Sequence, residues 1–262
     1  MTSIIKGALA LGVAAAALAT PASASHSWGN YHWARPGNPF TLKLGDNVDS
    51  NWDSYLAVAS TDWSASTVLD TTIVPGGTTG RRCRATAGRI EVCNAAYGQN
   101  GWLGLASISA NGDHITQATV KLNDSYYNMA QYNTPEWRQM VMCQEIGHDF
   151  GLDHQDTNQT NPNLGTCMDY TSNPSGPPSN LKPNQHDYDQ LVSIYSHGDS
   201  STTIGMGING AVADIGDTPS TWGRPVRFLR DGRPEVYMRL DGPGRVTLTH
   251  VIWAQGEGPR GR

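Results

Sequence analysis

A short segment near the middle of the chain constrains the fold more than any other stretch. From position 144 to position 154 it reads Gln-Glu-Ile-Gly-His-Asp-Phe-Gly-Leu-Asp-His. On a helix, Gln144 and His148 are four residues apart, so their side chains share one face, about 5–6 Å apart at Cβ. This spacing suits two ligands of one metal ion. Gly151 tolerates positive φ and lets the chain leave the helix sharply, which can return His154 to the same ion.

The residues around this segment predict a mixture of helices and strands. Thr134 is a suitable N-cap and Pro135 a suitable first helical residue, so a helix is expected from there to Asp149 or Phe150. Apolar side chains at helical spacing predict helices over 51–63 and 185–196, and short apolar or alternating runs predict strands over 40–44, 68–74, 89–96, 102–110 and 114–122. The last of these alternates regularly and is expected to be half-buried. A hairpin is predicted from 235–240 and 245–253.

A methionine follows fourteen residues after His154, in Gly-Thr-Cys-Met-Asp-Tyr at positions 165–170. Together the two segments resemble the metzincin signature H-E-x-x-H-x-x-G-x-x-H and its methionine turn. The resemblance covers roughly Phe40 to His197. It implies an α+β fold: a metzincin-like twisted mixed sheet with an active-site helix, a methionine turn and a late C-terminal helix, to which this chain adds a small β-rich C-terminal extension.

The resemblance also implies a function, that of a zinc-dependent endopeptidase acting on protein or peptide substrates. One catalytic Zn²⁺ would be bound by Gln144, His148 and His154, and Glu145 would be the general base for a metal-activated water. Tyr170, two residues after Met168, is expected to contact the zinc or steady the transition state.

Two further roles follow from the resemblance alone. Met168 is expected to form a structural floor beneath the metal. The run from Trp102 to Ala106 is expected to be an edge strand that lines the cleft and pairs with an extended substrate.

One residue departs from the family pattern, because Gln144 stands where the first zinc-binding histidine belongs. Amide oxygen suits hard cations better than zinc, so metal affinity is expected to fall. Cys143 is a poor replacement, since it lies five positions before His148, about 140° round the helix. His114 and His186 stay open as replacements. The histidines without a nameable partner are interpreted as surface or structural residues: His26, His32, His197 and His250, with His114 most simply structural as well.

The N-terminus and the cysteines indicate export. Lys6, an alanine-rich apolar run and Ala22-Ser23-Ala24 predict a signal peptide over 1–24, and the apolar run is shorter than the roughly 20 residues of a membrane span. The predicted domains are the signal peptide 1–24, a catalytic domain 25–198, and a linker with a hairpin-containing extension 199–262. Four cysteines in an exported chain predict disulfides, with three possible pairings. Because the family places the active-site helix beside the methionine turn, Cys83–Cys93 and Cys143–Cys167 are preferred.

Charge and composition exclude some partners. Removal of residues 1–24 takes one of the 18 basic residues and none of the 23 acidic ones, so the mature net charge is −6. With no basic cluster beyond the C-terminal Arg260–Arg262 end, neither nucleic-acid binding nor membrane binding after signal cleavage is expected. Asp and Asn residues between 153 and 169 could ligate Ca²⁺, but they form no spaced calcium-loop motif.

The alternative function is a catalytically inactive extracellular binding protein on the same fold. A third function, that of a carbohydrate-binding module, has no sequence motif to support it. Oligomeric state is not indicated.

Overall fold

The computed structural model describes residues 26–206 and 214–259, so the predicted signal peptide lies outside the described residues. Within the described part, no helix is both long and apolar enough to cross a membrane.

A single mixed sheet carries most of the described chain. Its strands are β1 (His32–Trp33), β2 (Phe40–Asn47), β3 (Leu69–Pro75), β4 (Ile90–Ala95), β5 (Trp102–Asn111), β6 (His114–Asn123), β7 (Arg224–Phe228), β8 (Pro234–Gly242) and β9 (Arg245–Trp253). The strand order is β3-β2-β4-β6-β5-β9-β8-β7, and β1 pairs with β6. Neighbours from β3 to β6 are parallel, whereas β5, β9, β8 and β7 pair antiparallel.

Four helices accompany the sheet: α1 (Asp53–Trp63), α2 (Asp124–Tyr127), α3 (Pro135–His148) and α4 (Gln185–Ile194). α1 packs against α3. The Trp63 indole at the end of α1 donates to the Cys143 carbonyl in α3 at 3.0 Å, which fixes the two helices at their buried contact. The α+β class, the predicted helices and the five strands predicted between positions 40 and 122 are confirmed, with ends that shift by at most three residues.

Four described elements were not predicted, namely β1, α2, β7 and a 3-10 helix over Pro219–Thr221. They are two to five residues long, too short for hydrophobic periodicity to show. The half-buried interpretation of β6 was wrong, because almost all of its side chains are buried. Even Lys121 is buried, because the segment around Ile215 and Asp217 covers its side of β6. The Lys121 ammonium donates to the Ile215 carbonyl and pairs with Asp217 at 2.9 Å.

The C-terminal strands occupy a place that the resemblance assigned to substrate. β9 pairs with β5 from Asn111↔Arg245 to Trp102↔Trp253, so β5 lies inside the sheet and is not an edge strand. The predicted substrate-pairing edge at Trp102–Ala106 is therefore wrong for this folded form. The segment that follows α4, interpreted as a linker from composition, is fixed by backbone bonds from Asp199 to Arg35 and from Thr203 to Ala34.

Candidate metal centre

The helix α3 and the turn after it bring two of the predicted ligands together. The Thr134 hydroxyl accepts a hydrogen bond from the Trp137 amide as the N-cap. The helix ends at His148, and Gly151 at φ 94° reverses the chain. This reversal places the His154 ring 4.6 Å from the His148 ring, centroid to centroid.

Hydrogen bonds fix both rings with the same nitrogen directed inward. His148 Nδ1 lies 2.9 Å from the Leu152 carbonyl, and His154 Nδ1 lies 2.7 Å from Oε1 of Glu235. A carbonyl and a carboxylate can only accept, so each Nδ1 carries the proton and each Nε2 presents a lone pair. The two Nε2 atoms face each other at 3.1 Å. Two facing lone pairs repel, and a shared cation removes that repulsion.

A third imidazole completes the cluster, and it comes from β9. Ligand nitrogens of His148, His154 and His250 all lie within 4.8 Å of one another, and all three residues are buried. The interpretation of His250 as a residue without a partner was therefore wrong. Neither open replacement joins the cluster: His114 lies beside Asp199, and His186 stacks on His26.

Two buried carboxylates give the cluster a negative potential. Oε2 of Glu145 lies 3.7 Å from Nδ1 of His250, and Oε1 of Glu235 lies 3.6 Å from its Nε2. Burial opposes charge on the His250 ring, but these carboxylates outweigh it and raise the pKa of His250. Burial, with the neighbouring His250, lowers the pKa of His154 to about 4. The site thus stabilises one central positive charge while it keeps a ligand ring neutral.

Of these two carboxylates, Glu145 is the one without a hydrogen-bond partner among the described residues. Both of its oxygens are buried, and burial raises the pKa of Glu145. Glu235, in contrast, is held by Arg227 Nε at 2.8 Å as well as by His154. Burial alone would raise the pKa of Glu235, but the two histidines outweigh it and lower that pKa. Glu145 is therefore the group free to exchange a proton.

Gln144 lies next to this cluster in α3 and is tied to the segment that carries Met168. Its Nε2 donates to the Cys167 carbonyl at 2.7 Å, and its buried Oε1 has no partner among the described residues. The disulfide Cys143–Cys167 joins the same two segments, and Cys83–Cys93 is the second disulfide. Both preferred pairings are confirmed.

The two remaining predicted residues also lie at this site. The Tyr170 hydroxyl donates to the Val251 carbonyl at 3.2 Å and lies 3.3 Å from Nε2 of His250. Its ring lies 4.3 Å from that of His154. Met168 is fully buried, and its sulfur lies against Gly147 of α3.

The centre is closed on two sides. The Trp28 indole stacks on the His148 ring with centroids 5.3 Å apart, and β9 covers the side of β5. Glu145, His148 and His250 have no exposed surface, and His154 is only 7 % exposed. Peptide therefore has no access to these groups in the folded form described here.

The donor set fits zinc. Imidazole nitrogen is among its preferred ligands, and tetrahedral bonds of 2.0–2.1 Å place neighbouring donor atoms about 3.3 Å apart. The Nε2–Nε2 distance of 3.1 Å is close to that value. The Nδ1–H bonds to Leu152 and Glu235 are the outer interactions that orient metal-binding histidines.

Sequence reasoning missed His250 and Glu235, the two contributions of the C-terminal strands. Neither has a local spacing to a predicted ligand, since the pairing of β8 with β9 and of β9 with β5 brings them to the histidine cluster. The available signal was indirect: a missing histidine at position 144 calls for another donor.

Comparisons with known proteins add little to this geometry. No family model and no curated protein matches the chain. Among solved structures, the chain is similar to two of myroilysin, at 12 % and 13 % identity and TM-scores of 0.39 and 0.33. These cover 66 % and 65 % of this chain and 100 % and 88 % of theirs. It is also similar to the hatching enzyme zinc-protease HCE-1 of Oryzias latipes (Medaka fish), at 12 % identity and a TM-score of 0.35, over 63 % of this chain and 94 % of that one. Structural similarity at TM-scores below 0.5 carries no functional argument.

Proposed function

We propose that the chain is an exported zinc-dependent endopeptidase of the metzincin type. The observation that carries this proposal is the unpartnered, buried carboxylate of Glu145 beside the convergent His148, His154 and His250 rings. A carboxylate next to a three-imidazole donor set is the combination that metal-assisted hydrolysis needs. The predicted signal peptide and the two disulfides support export.

Zinc bound here would act as a Lewis acid that polarises the scissile carbonyl and makes water acidic enough to lose a proton near pH 7. In the closed form described above, His148, His154 and His250 would hold the ion. Gln144 offers Oε1 as an additional donor, since its Nε2 is already fixed on the Cys167 carbonyl.

The other residues would handle protons and charge. Glu145 takes the proton of the attacking water, because its raised pKa suits a base that must later act as an acid, and then passes it to the leaving amine. The Tyr170 hydroxyl lies 3.3 Å from His250 and can donate to the oxyanion after leaving the Val251 carbonyl. Met168 packs beneath and takes no part in the reaction.

The test is peptide cleavage by the mature chain beginning at Ser25, loaded with zinc and offered a quenched-peptide library. Glu145→Ala is the loss-of-base variant, and Glu257→Ala, an exposed glutamate, is its matched control. Because the site is closed, the assay is repeated over urea concentrations below unfolding, followed by circular dichroism.

We expect cleavage by the wild type and by Glu257→Ala, lost on chelation and reduced at least about 100-fold in Glu145→Ala, the lower end of what general-base catalysis contributes. A zinc-loaded wild type that cleaves nothing under any of these conditions contradicts the proposal and leaves the inactive binding protein as the better reading. Cleavage that survives Glu145→Ala excludes the assigned base.

A further inference from the structure

A second group of side chains of the kind that bind metals lies away from the site described above. His32 of β1, His114 at the start of β6 and Asp199 after α4 have ligand atoms that all lie within 4.8 Å of one another. His197 joins them through two of these residues, since its Nε2 lies 3.1 Å from that of His32 and 3.6 Å from Oδ1 of Asp199. The pairing of β1 with β6 places His32 directly opposite His114. The chain after α4 then returns to these strands through the bond from the Asp199 amide to the Arg35 carbonyl.

One carboxylate oxygen lies among the three rings. Oδ2 of Asp199 is held by the amide and the guanidinium of Arg35, at 3.0 Å in each case. Its Oδ1 lies 3.5 Å from Nε2 of His32, 3.3 Å from that of His114 and 3.6 Å from that of His197. Arg35 therefore orients the carboxylate with one oxygen free for the histidines.

The distances from Oδ1 of Asp199 to the three rings are longer than those of charge-assisted hydrogen bonds. A charge-assisted N–H···O bond is about 2.7–2.9 Å long, and one oxygen here has three nitrogens at longer range. The donor atoms of a tetrahedral zinc site are instead about 3.3 Å apart, given zinc–ligand bonds of 2.0–2.2 Å. The three nitrogen–oxygen distances and the 3.1 Å between Nε2 of His32 and Nε2 of His197 all lie close to that value.

The hydrogen bond of the buried His32 ring also leaves a nitrogen available for a metal ion. His32 Nδ1 lies 2.6 Å from the Asn30 carbonyl, so it carries the proton and leaves Nε2 as a lone pair. The side chains of His114 and His197 are 39 % and 47 % exposed, which gives an ion a route from solvent.

We propose that His32, His114, His197 and Asp199 bind a second zinc ion. Four protein donors leave no open position, so this ion is structural and not catalytic. It joins the N-terminal segment, the sheet and the segment after α4, three parts of the chain that are far apart in sequence. The inference does not depend on the proposed peptidase activity.

The test counts tightly bound zinc in the purified mature chain by mass spectrometry of the metal after dialysis against a weak chelator. The variants are His114→Ala combined with His197→Ala for the second site, and His154→Ala for the first. His186→Ala is the control, since this exposed histidine belongs to neither cluster. Absorption of Co²⁺-substituted protein reports whether each ion is four-coordinate.

We expect two zinc ions in the wild type and in His186→Ala, and one in each of the other two proteins. The double variant should lose one four-coordinate Co²⁺ signal and melt at a lower temperature than the wild type in zinc, with the difference removed by chelation. A wild type that holds at most one ion, or a double variant that still holds two, overturns the second site. Loss of peptidase activity with two ions still bound would affect the proposed function alone.

Discussion

At the scale of single residues, the candidate metal centre places a histidine from a distant part of the chain beside His148 and His154. Gln144 occupies the position of a histidine in the signature, and its amide is bound to Cys167 through Nε2. The His250 ring lies 3.9 Å from that of His148, centroid to centroid. Imidazole is a better zinc ligand than an amide oxygen, so His250 should contribute more to affinity than Gln144.

This ranking predicts different losses of zinc affinity in two variants. His250→Ala should weaken zinc binding at least about 100-fold, beyond the 10–100-fold that loss of an outer-shell partner costs. Gln144→Ala should weaken it less than about tenfold, because three imidazoles are kept. Competition with a coloured chelator measures both. The background carries His114→Ala and His197→Ala so that only one site is titrated. A larger loss in Gln144→Ala would make the amide the principal third ligand and remove that role from His250.

The part of this site that could be predicted from sequence is the part that one helix and one turn create. Positions 144, 145, 148 and 154 are linked by local geometry, so their proximity follows from 3.6 residues per turn and one glycine. His250 and Glu235 come from strands whose register is set by pairing across the sheet. Register depends on which strand lies beside which, and no local spacing encodes that.

At the scale of secondary-structure elements, α3, α1 and the turn that carries Met168 pack closely against one another. A Cβ added at Gly147 would lie 2.6 Å from Sδ of Met168 and 2.6 Å from the Trp63 ring. Trp63 cannot easily retreat, since its indole is bound to the Cys143 carbonyl. The glycine is therefore needed for contact between the elements and not for helix formation.

Gly147→Ala should accordingly destabilise the fold. Overpacking a core costs about 1–3 kcal/mol, whereas replacing a helical glycine by alanine gains at most about 1 kcal/mol. We expect a lower free energy of unfolding in urea at fixed zinc concentration. Gly37→Ala is the control, because a Cβ there meets nothing within 4 Å, and its effect should stay within about 0.5 kcal/mol. Equal stability of Gly147→Ala and the wild type would show that the turn can move away from α3.

The length of an element decides whether it could be predicted from the sequence. Helices α1, α3 and α4 are 10 to 14 residues long, enough for a helical period or a cap to be visible. β1 has two residues and exists because it pairs with β6, so its own residues do not specify it. The burial of β6 on both faces likewise depends on the segment around Asp217, which lies far along the chain.

At the scale of the whole molecule, the C-terminal strands close the site that they help to build. β9 brings His250 to the cluster and at the same time pairs antiparallel with β5. An extended peptide that adds to a sheet edge needs unpaired backbone groups, and β9 already occupies them. If the proposed function holds, β9 must separate from β5 before a peptide can pair there. Because β9 carries His250 opposite Ala106, this movement would withdraw that ring and leave the ion to His148, His154 and Gln144.

A reversible covalent link between these strands should therefore control cleavage. Ser109 and Thr247 are register partners whose hydroxyl oxygens lie 3.0 Å apart, and they are separated from His250 along β9. Cysteines at both positions, Ser109→Cys with Thr247→Cys, place two sulfurs within reach of a disulfide. We expect the oxidised variant to cleave peptides at less than about a tenth of the rate of its reduced form, since a covalent link stops strand separation. Zinc content should be the same in both forms.

Wild type treated with the same oxidant and reductant controls for the two native disulfides, and peptide mapping verifies that they are intact. Equal cleavage by the linked and unlinked forms would mean that peptide reaches Glu145 without displacement of β9. Access would then have to come past Trp28, which covers His148. Substitution of Trp28 by alanine would in that case raise the cleavage rate of the linked form, whereas a site opened by β9 would stay closed.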